Sequence, residues 1–161
     1  MNYEVDSEIL GLLRENKAFI FRNVTFADFK RALEEEFGSG AIIILYEAGR
    51  KCGERSYGRF SKETLKVEEL LARLARYKHG ERWGDLKFKL DLSTGEGEVD
   101  VYECFEARAY GSSKVPVCHF MRGFLEGFLS KALQHSLTIK EVACIAEGKE
   151  FCRFKVSKKT S

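Results

Sequence analysis

The chain has 161 residues, 44% hydrophobic and 32% charged, the composition of a globular domain long enough to bury a core. Its 27 basic and 25 acidic residues leave a net charge of +2, which gives no reason to expect nucleic acid or an anionic membrane as partner. No apolar run approaches the ~18 residues of a membrane span, and the opening MNYEVDSEIL is acidic, unlike a secretion signal.

The five cysteines are therefore expected to be reduced or metal-bound rather than disulfide-linked, in a cytoplasmic protein. One proline and no Ser- or Gly-rich linker predict a single domain over 1–161.

In chain order, Ser7–Arg14 reads as a short helix and Ala18–Arg22 as a strand. Thr25 is an N-cap for a helix carrying Phe26, Phe29, Leu33 and Phe37, which Gly38-Ser39-Gly40 ends. Ala41–Tyr46, AIIILY, suits a buried strand, yet the following EAGRKCGERSYGRF has no strand alternation and looks helical. Ser61–Tyr77 is helical, with Leu65, Leu70, Leu71, Leu74 and Tyr77 on one face and Gly80 beyond its end. Leu86, Phe88, Leu90 and Leu92 alternate with polar residues as a half-buried strand does. Thr94–Gly97 turns the chain, and Glu98–Arg108 returns as the partner strand.

After a loop over Tyr110–Val117, Cys118 opens an amphipathic helix whose Gly123 and Gly127 suit a close helix contact. Strands over Leu137–Ile145 and Phe151–Val156 follow. The predicted class is α+β, an antiparallel sheet of about four strands with helices packed on one face.

The chemistry concentrates in the last third, where Cys118, Glu141, Cys144 and Cys152 offer three thiols and a carboxylate, enough for one tetrahedral metal. A hairpin turning at Ala146–Lys149 and symmetric about Gly148 sets Cys144 opposite Cys152, with Cβ atoms roughly 4.5–5.5 Å apart. Glu141 lies three residues before Cys144, so a regular strand points it to the other face. A bulge near Val142 or Ala143 is needed to bring it round; His119 and His135 are the alternative fourth ligands. The plain alternative for Cys144 and Cys152 is that they are small buried hydrophobes. Cys52 and Cys104, one in the long helical segment and one on a strand, have no ligand-like neighbour and read as free thiols.

Among 13 Phe, 6 Tyr and 1 Trp, the residues Trp83, Phe88, Tyr102, Phe105, Phe120, Phe124 and Phe128 are candidates to line an apolar pocket between sheet and helices. Taken singly, each is better explained as core. There is no P-loop, dinucleotide fingerprint or hydrolytic carboxylate pair. No His lies in a nucleophile–base pattern, so no catalytic residue is assigned.

The Cys118 … Glu141-x-x-Cys144-x7-Cys152 spacing, with Gly123, Gly127 and Gly148, resembles the 4-vinyl reductase domain family, most clearly from about 98 to 156. That family includes bacteriochlorophyll-synthesis proteins and regulator domains that sense phenol-like aromatics. Its wider fold is similar to that of subunits of the vesicle-tethering transport particle. The resemblance implies a zinc ion on the Cys-Glu-Cys-Cys set, although iron or another thiophilic metal fits the same donors. It also implies a pocket for a small hydrophobic or aromatic ligand, and a homodimer. It turns Gly40–Gly58 into one long buried helix, whose Ala48, Gly49 and Gly53 would admit another backbone, a second copy being one candidate. The implied function is a binding module, sensor or carrier, acting through a separate partner. The alternatives are an accessory or enzyme of tetrapyrrole metabolism, for which no flavin or nicotinamide motif is found, and a ligand-free scaffold.

Overall fold

The computed structural model describes residues 7–62 and 66–159. Six α-helices and four strands follow in the order α1 (Ser7–Arg14), α2 (Asn23–Phe37), α3 (Gly40–Phe60), α4 (Val67–Gly80), β1 (Asp85–Leu90), β2 (Gly97–Tyr102), α5 (Phe105–Tyr110), α6 (His119–Ala132), β3 (Leu137–Ala143) and β4 (Cys152–Lys158). The strands form one antiparallel sheet ordered β1-β2-β4-β3. This is the α+β class read from the sequence.

The core lies where the inner face of the sheet meets α6. Val99, Val101, Phe154, Val156, Leu137 and Ile139 share one buried cluster with Met121, Phe124, Leu125, Phe128 and Leu129. Each such side chain contributes about 1.5–3 kcal/mol by leaving water. Buried residues surround α6 on nearly every side, because α3 covers the face turned from the sheet. On the outer face of the sheet Asp100 is buried between Lys89 at 2.7 Å and Arg153 at 2.7 and 2.9 Å. Asp100 and Arg153 are direct cross-strand partners, the geometry in which opposite charges on neighbouring strands help each other.

Several local expectations are corrected. Residues 18–22 form no strand; they run as irregular chain into α2, with Phe19 and Ile20 80% and 81% exposed. A strand needs a neighbour for its N–H and C=O groups, and all four strands described pair elsewhere. The helix after them starts at Asn23 rather than beyond a Thr25 cap. It buries Ala27 and Lys30, while Phe29 and Phe37 face outward. AIIILY is the start of α3, whose buried positions form a single stripe of Ala41, Leu45, Gly49, Gly53 and Phe60. Ile42, Ile43 and Ile44 stay exposed, so this helix is less buried than expected.

The helix expected from Ser61 starts at Val67 and runs to Gly80; Leu65 lies outside the described residues. β1 stops at Leu90, because the Asp91 carboxylate accepts hydrogen bonds from the Ser93 and Thr94 N–H groups and turns the chain. The return strand stops at Tyr102 instead of Arg108. Glu103 takes a left-handed φ of 56°, and α5 begins two residues later. The final turn is a short 3-10 helix, Ile145–Glu147, closed by Gly148 at φ 84°.

Candidate metal centre

Cys118 caps α6, Glu141 and Cys144 come from the end of β3, and Cys152 opens β4. The register of β3 on β4 shifts between Glu141 and Ala143. That irregularity is the bulge the spacing demanded, and it turns Glu141 to the side of the thiols. Ala143 pairs with Arg153, so the next step inward sets Cys144 across from Cys152.

The sulfurs form a triangle, with Cys118 Sγ 3.9 Å from Cys144 Sγ and 3.6 Å from Cys152 Sγ, and Cys144 and Cys152 3.9 Å apart. A tetrahedral ion bonded to sulfur at ~2.3 Å requires sulfur–sulfur edges of about 3.8 Å. The ligand atoms of Cys118, Glu141, Cys144 and Cys152 all lie within 4.8 Å of one another, and all four residues are buried. Glu141 Oε2 accepts a hydrogen bond from the Cys118 N–H at 2.9 Å. Its other oxygen, Oε1, is buried without a hydrogen-bond partner, an arrangement that costs about 1–3 kcal/mol or more for a charged group. A cation among the sulfurs would satisfy it. The residues therefore fit a metal in both spacing and chemistry.

The protonation of the cluster fits the same reading. Hydrogen bonds from Cys118 and Cys152 draw the Cys144 thiol down to about 2. Burial pushes Cys118 above the ordinary thiol range, and burial followed by the charge of Cys144 pushes the Glu141 carboxyl up to about 9. Without a cation the cluster keeps most of its protons. A dication would take their place and bind with proton release.

The other candidates are scattered. His119 shares a cleft of about 170 Å³ with Ile42, Pro116, Arg122, Lys140 and Glu141. Burial, then the charges of Lys30 and Arg122, drives its imidazole down to about 4. The His135 ring turns to the carbonyl of Ser93, 3.1 Å away. Cys52 is half-buried on α3. Cys104 is not on a strand: it caps α5, and its sulfur is 3.6 Å from Cys118 Sγ. Sequence spacing carried no signal of this, because the turn at Glu103 brings it in.

The seven aromatic candidates divide into three places. Trp83 packs directly on Phe105, Phe120 and Phe124, at 5.4, 5.6 and 5.2 Å between ring centroids, and Phe128 stacks on Phe124 at 6.3 Å. The Lys78 ammonium lies 3.4 Å from the centre of the Trp83 ring. Phe88 instead lines an apolar groove of about 350 Å³ between α4 and β1, with Leu71, Ala75, Leu86, Leu90 and Leu92. Tyr102 pairs with Phe151 at 4.9 Å and with Lys87, apart from the other six.

The four clustered donors lie within residues 98–158, and that segment matches the family model of the 4-vinyl reductase domain. The chain carries a 4-vinyl reductase domain. Two uncharacterised proteins of Methanocaldococcus jannaschii are similar in sequence, at 25% identity over 119 residues and 30% over 59. These matches span 74% and 37% of this chain, and 66% and 37% of the relatives' own lengths, in each case less than two thirds.

This 4-vinyl reductase domain protein is similar in fold to three solved structures. The phenol-responsive sensory domain of the transcription activator PoxR, crystallised with phenol, superposes with a TM-score of 0.74 at 16% identity, over 88% of this chain and 76% of that one. A vinyl-4-reductase family protein of M. jannaschii gives 0.67 at 20% identity, over 99% and 98%. A trafficking protein particle complex subunit 3 from Naegleria fowleri, covalently bound to palmitic acid, gives 0.60 at 14%, over 86% and 95%. Among the described residues, no helix is long and apolar enough to cross a membrane.

Proposed function

We propose that this 4-vinyl reductase domain protein is a small-molecule-binding module built around a structural zinc ion held by Cys118, Glu141, Cys144 and Cys152. The observation that carries it is the sulfur triangle with edges of 3.6–3.9 Å, completed by the unpartnered Glu141 Oε1. Four protein ligands fill a tetrahedron and leave no position for water, the pattern of structural rather than catalytic zinc. The ion ties α6 to both ends of the β3–β4 hairpin.

The ligand is a small apolar or aromatic molecule, and the groove between α4 and β1 is its proposed seat, with Phe88 in the wall. The likeness of fold to a phenol-responsive sensory domain, crystallised with phenol, supports the ligand class. The protein acts as a homodimer through the apolar side chains exposed on and before α2 and α3, among them Ile20, Phe29 and Ile43. The ring-to-ring packing of Trp83, Phe105, Phe120 and Phe124 favours a second reading, a scaffold that binds no ligand.

The test is elemental analysis of the untagged protein with a phenol titration followed by fluorescence of Trp83, the single tryptophan. One zinc per chain and a saturable change are expected. Zinc with no response to phenol or larger apolar aromatics selects the scaffold, and no metal removes the zinc reading. Light scattering that gives one chain mass at every concentration removes the dimer.

A further inference from the structure

Cys104 is fully buried, and its sulfur meets Cys118 Sγ at 3.6 Å, the same distance that separates Cys118 from Cys152 within the triangle. It also shares a hydrogen bond with Cys152. Cys104 thus borders the Cys118–Cys152 edge, and Glu141 approaches the same triangle with its unpartnered oxygen. Five donors surround a centre that needs four. A thiol that only filled core volume would be expected among carbon atoms, not in contact with two sulfurs of a donor set. The left-handed Glu103 is what swings Cys104 inward, and a non-glycine residue there costs about 1–3 kcal/mol.

We propose that Cys104 is a reserve ligand of the metal centre, and that together with Cys118, Cys144 and Cys152 it forms an all-thiolate set. This rests on the metal reading above and extends it. A metal ion that shifts across the Cys118–Cys152 edge trades a carboxylate oxygen for a fourth sulfur. The all-sulfur arrangement selects softer ions such as Cd(II), because thiolate donors favour soft metals over hard ones.

The experiment uses the full chain loaded with Co(II) as a spectroscopic probe, in the wild type, Cys144→Ser, Glu141→Ala, Cys104→Ala and the double variant Glu141→Ala/Cys104→Ala. Circular dichroism checks folding, with Cys104→Val, which fills the space without a donor, as the second choice at that position. Glu141→Ala is expected to keep its Co(II), with sulfur-to-metal charge-transfer absorption raised by about one third as three thiolates become four. Adding Cys104→Ala should return the intensity to the wild-type level and weaken binding at least about tenfold. An unchanged intensity in Glu141→Ala, or a double variant that binds as tightly as Glu141→Ala alone, overturns the reserve role while leaving the primary site standing. Failure of the wild type to bind Co(II) overturns both.

Discussion

Gly49 of α3 and Gly123 of α6 each make room for the backbone of the other's helix. A Cβ on Gly49 would fall on the Phe120 carbonyl, and one on Gly123 on the Tyr46 carbonyl, each three residues before the opposite glycine. One turn on, Gly53 and Gly127 repeat the relation with the Phe124 and Arg50 carbonyls. The small residues of α3 thus receive a helix of the same chain, so they no longer argue for a second copy. Because the obstruction is backbone, Gly49→Ala and Gly123→Ala are each expected to cost about 1–3 kcal/mol or more in urea unfolding. Gly58→Ala, with nothing within 4 Å, should stabilise by up to about 1 kcal/mol through helix propensity. Equal effects at the three positions would refute the close crossing.

Cys144→Ser is expected to abolish stoichiometric zinc and lower the melting temperature. The donors join α6, β3 and β4, so a site assembled on folding returns its binding energy as stability. A chelator should lower the wild-type melting temperature and leave that of Cys144→Ser unchanged. Melting curves of the wild type that coincide with and without chelator would contradict a structural metal.

Lys30 and Glu106 form an ion pair at 2.9 Å with both side chains 0% exposed. Lys30 also donates to the Val117 carbonyl, and Glu106 accepts from the Phe120 and Met121 N–H groups at 3.2 and 3.0 Å. The pair therefore holds both sides of Cys118 and fastens α2 to the start of α6. Lys30→Met leaves Glu106 buried without a counter-charge and should cost about 3–5 kcal/mol. Lys30→Met/Glu106→Gln should recover part of that loss. A single variant within experimental error of the wild type would remove the pair from the stability argument.

The hydrogen bond from Arg153, with help from Lys89, outweighs burial and holds the Asp100 carboxyl below its ordinary value of 3.8. A depressed carboxylate contributes stability that is complete above the unfolded-state value and is lost as pH falls through the folded-state value. Unfolding free energy should therefore drop as the pH is lowered below about 4. Asp100→Asn, which cannot ionise, should be about 1–3 kcal/mol less stable at pH 7 and lose less on acidification. Parallel pH–stability curves for the two proteins would exclude Asp100 as the titrating group.

Local patterns carried much of this fold. The alternation of Leu86, Phe88 and Leu90 and the symmetry of the last hairpin about Gly148 were legible because each reports on neighbours a few residues away. So was the bulge beside Val142, once Glu141 and Cys144 had to share a face. The isoleucine run in AIIILY misled, because β-branched residues favour strands until a partner surface decides otherwise. The stripe of small residues in α3 needed α6 to lie on it.

By itself the sequence determined the class of the fold and the four donors with their spacing, since chain geometry over short distances follows from residue type. Only the tertiary structure placed Cys104 against Cys118, set Lys30 beneath the start of α6, and divided the aromatic residues between core, groove and outer sheet face. Those relations join positions 14 to 87 residues apart, and packing rather than periodicity selects which of many such pairs meet.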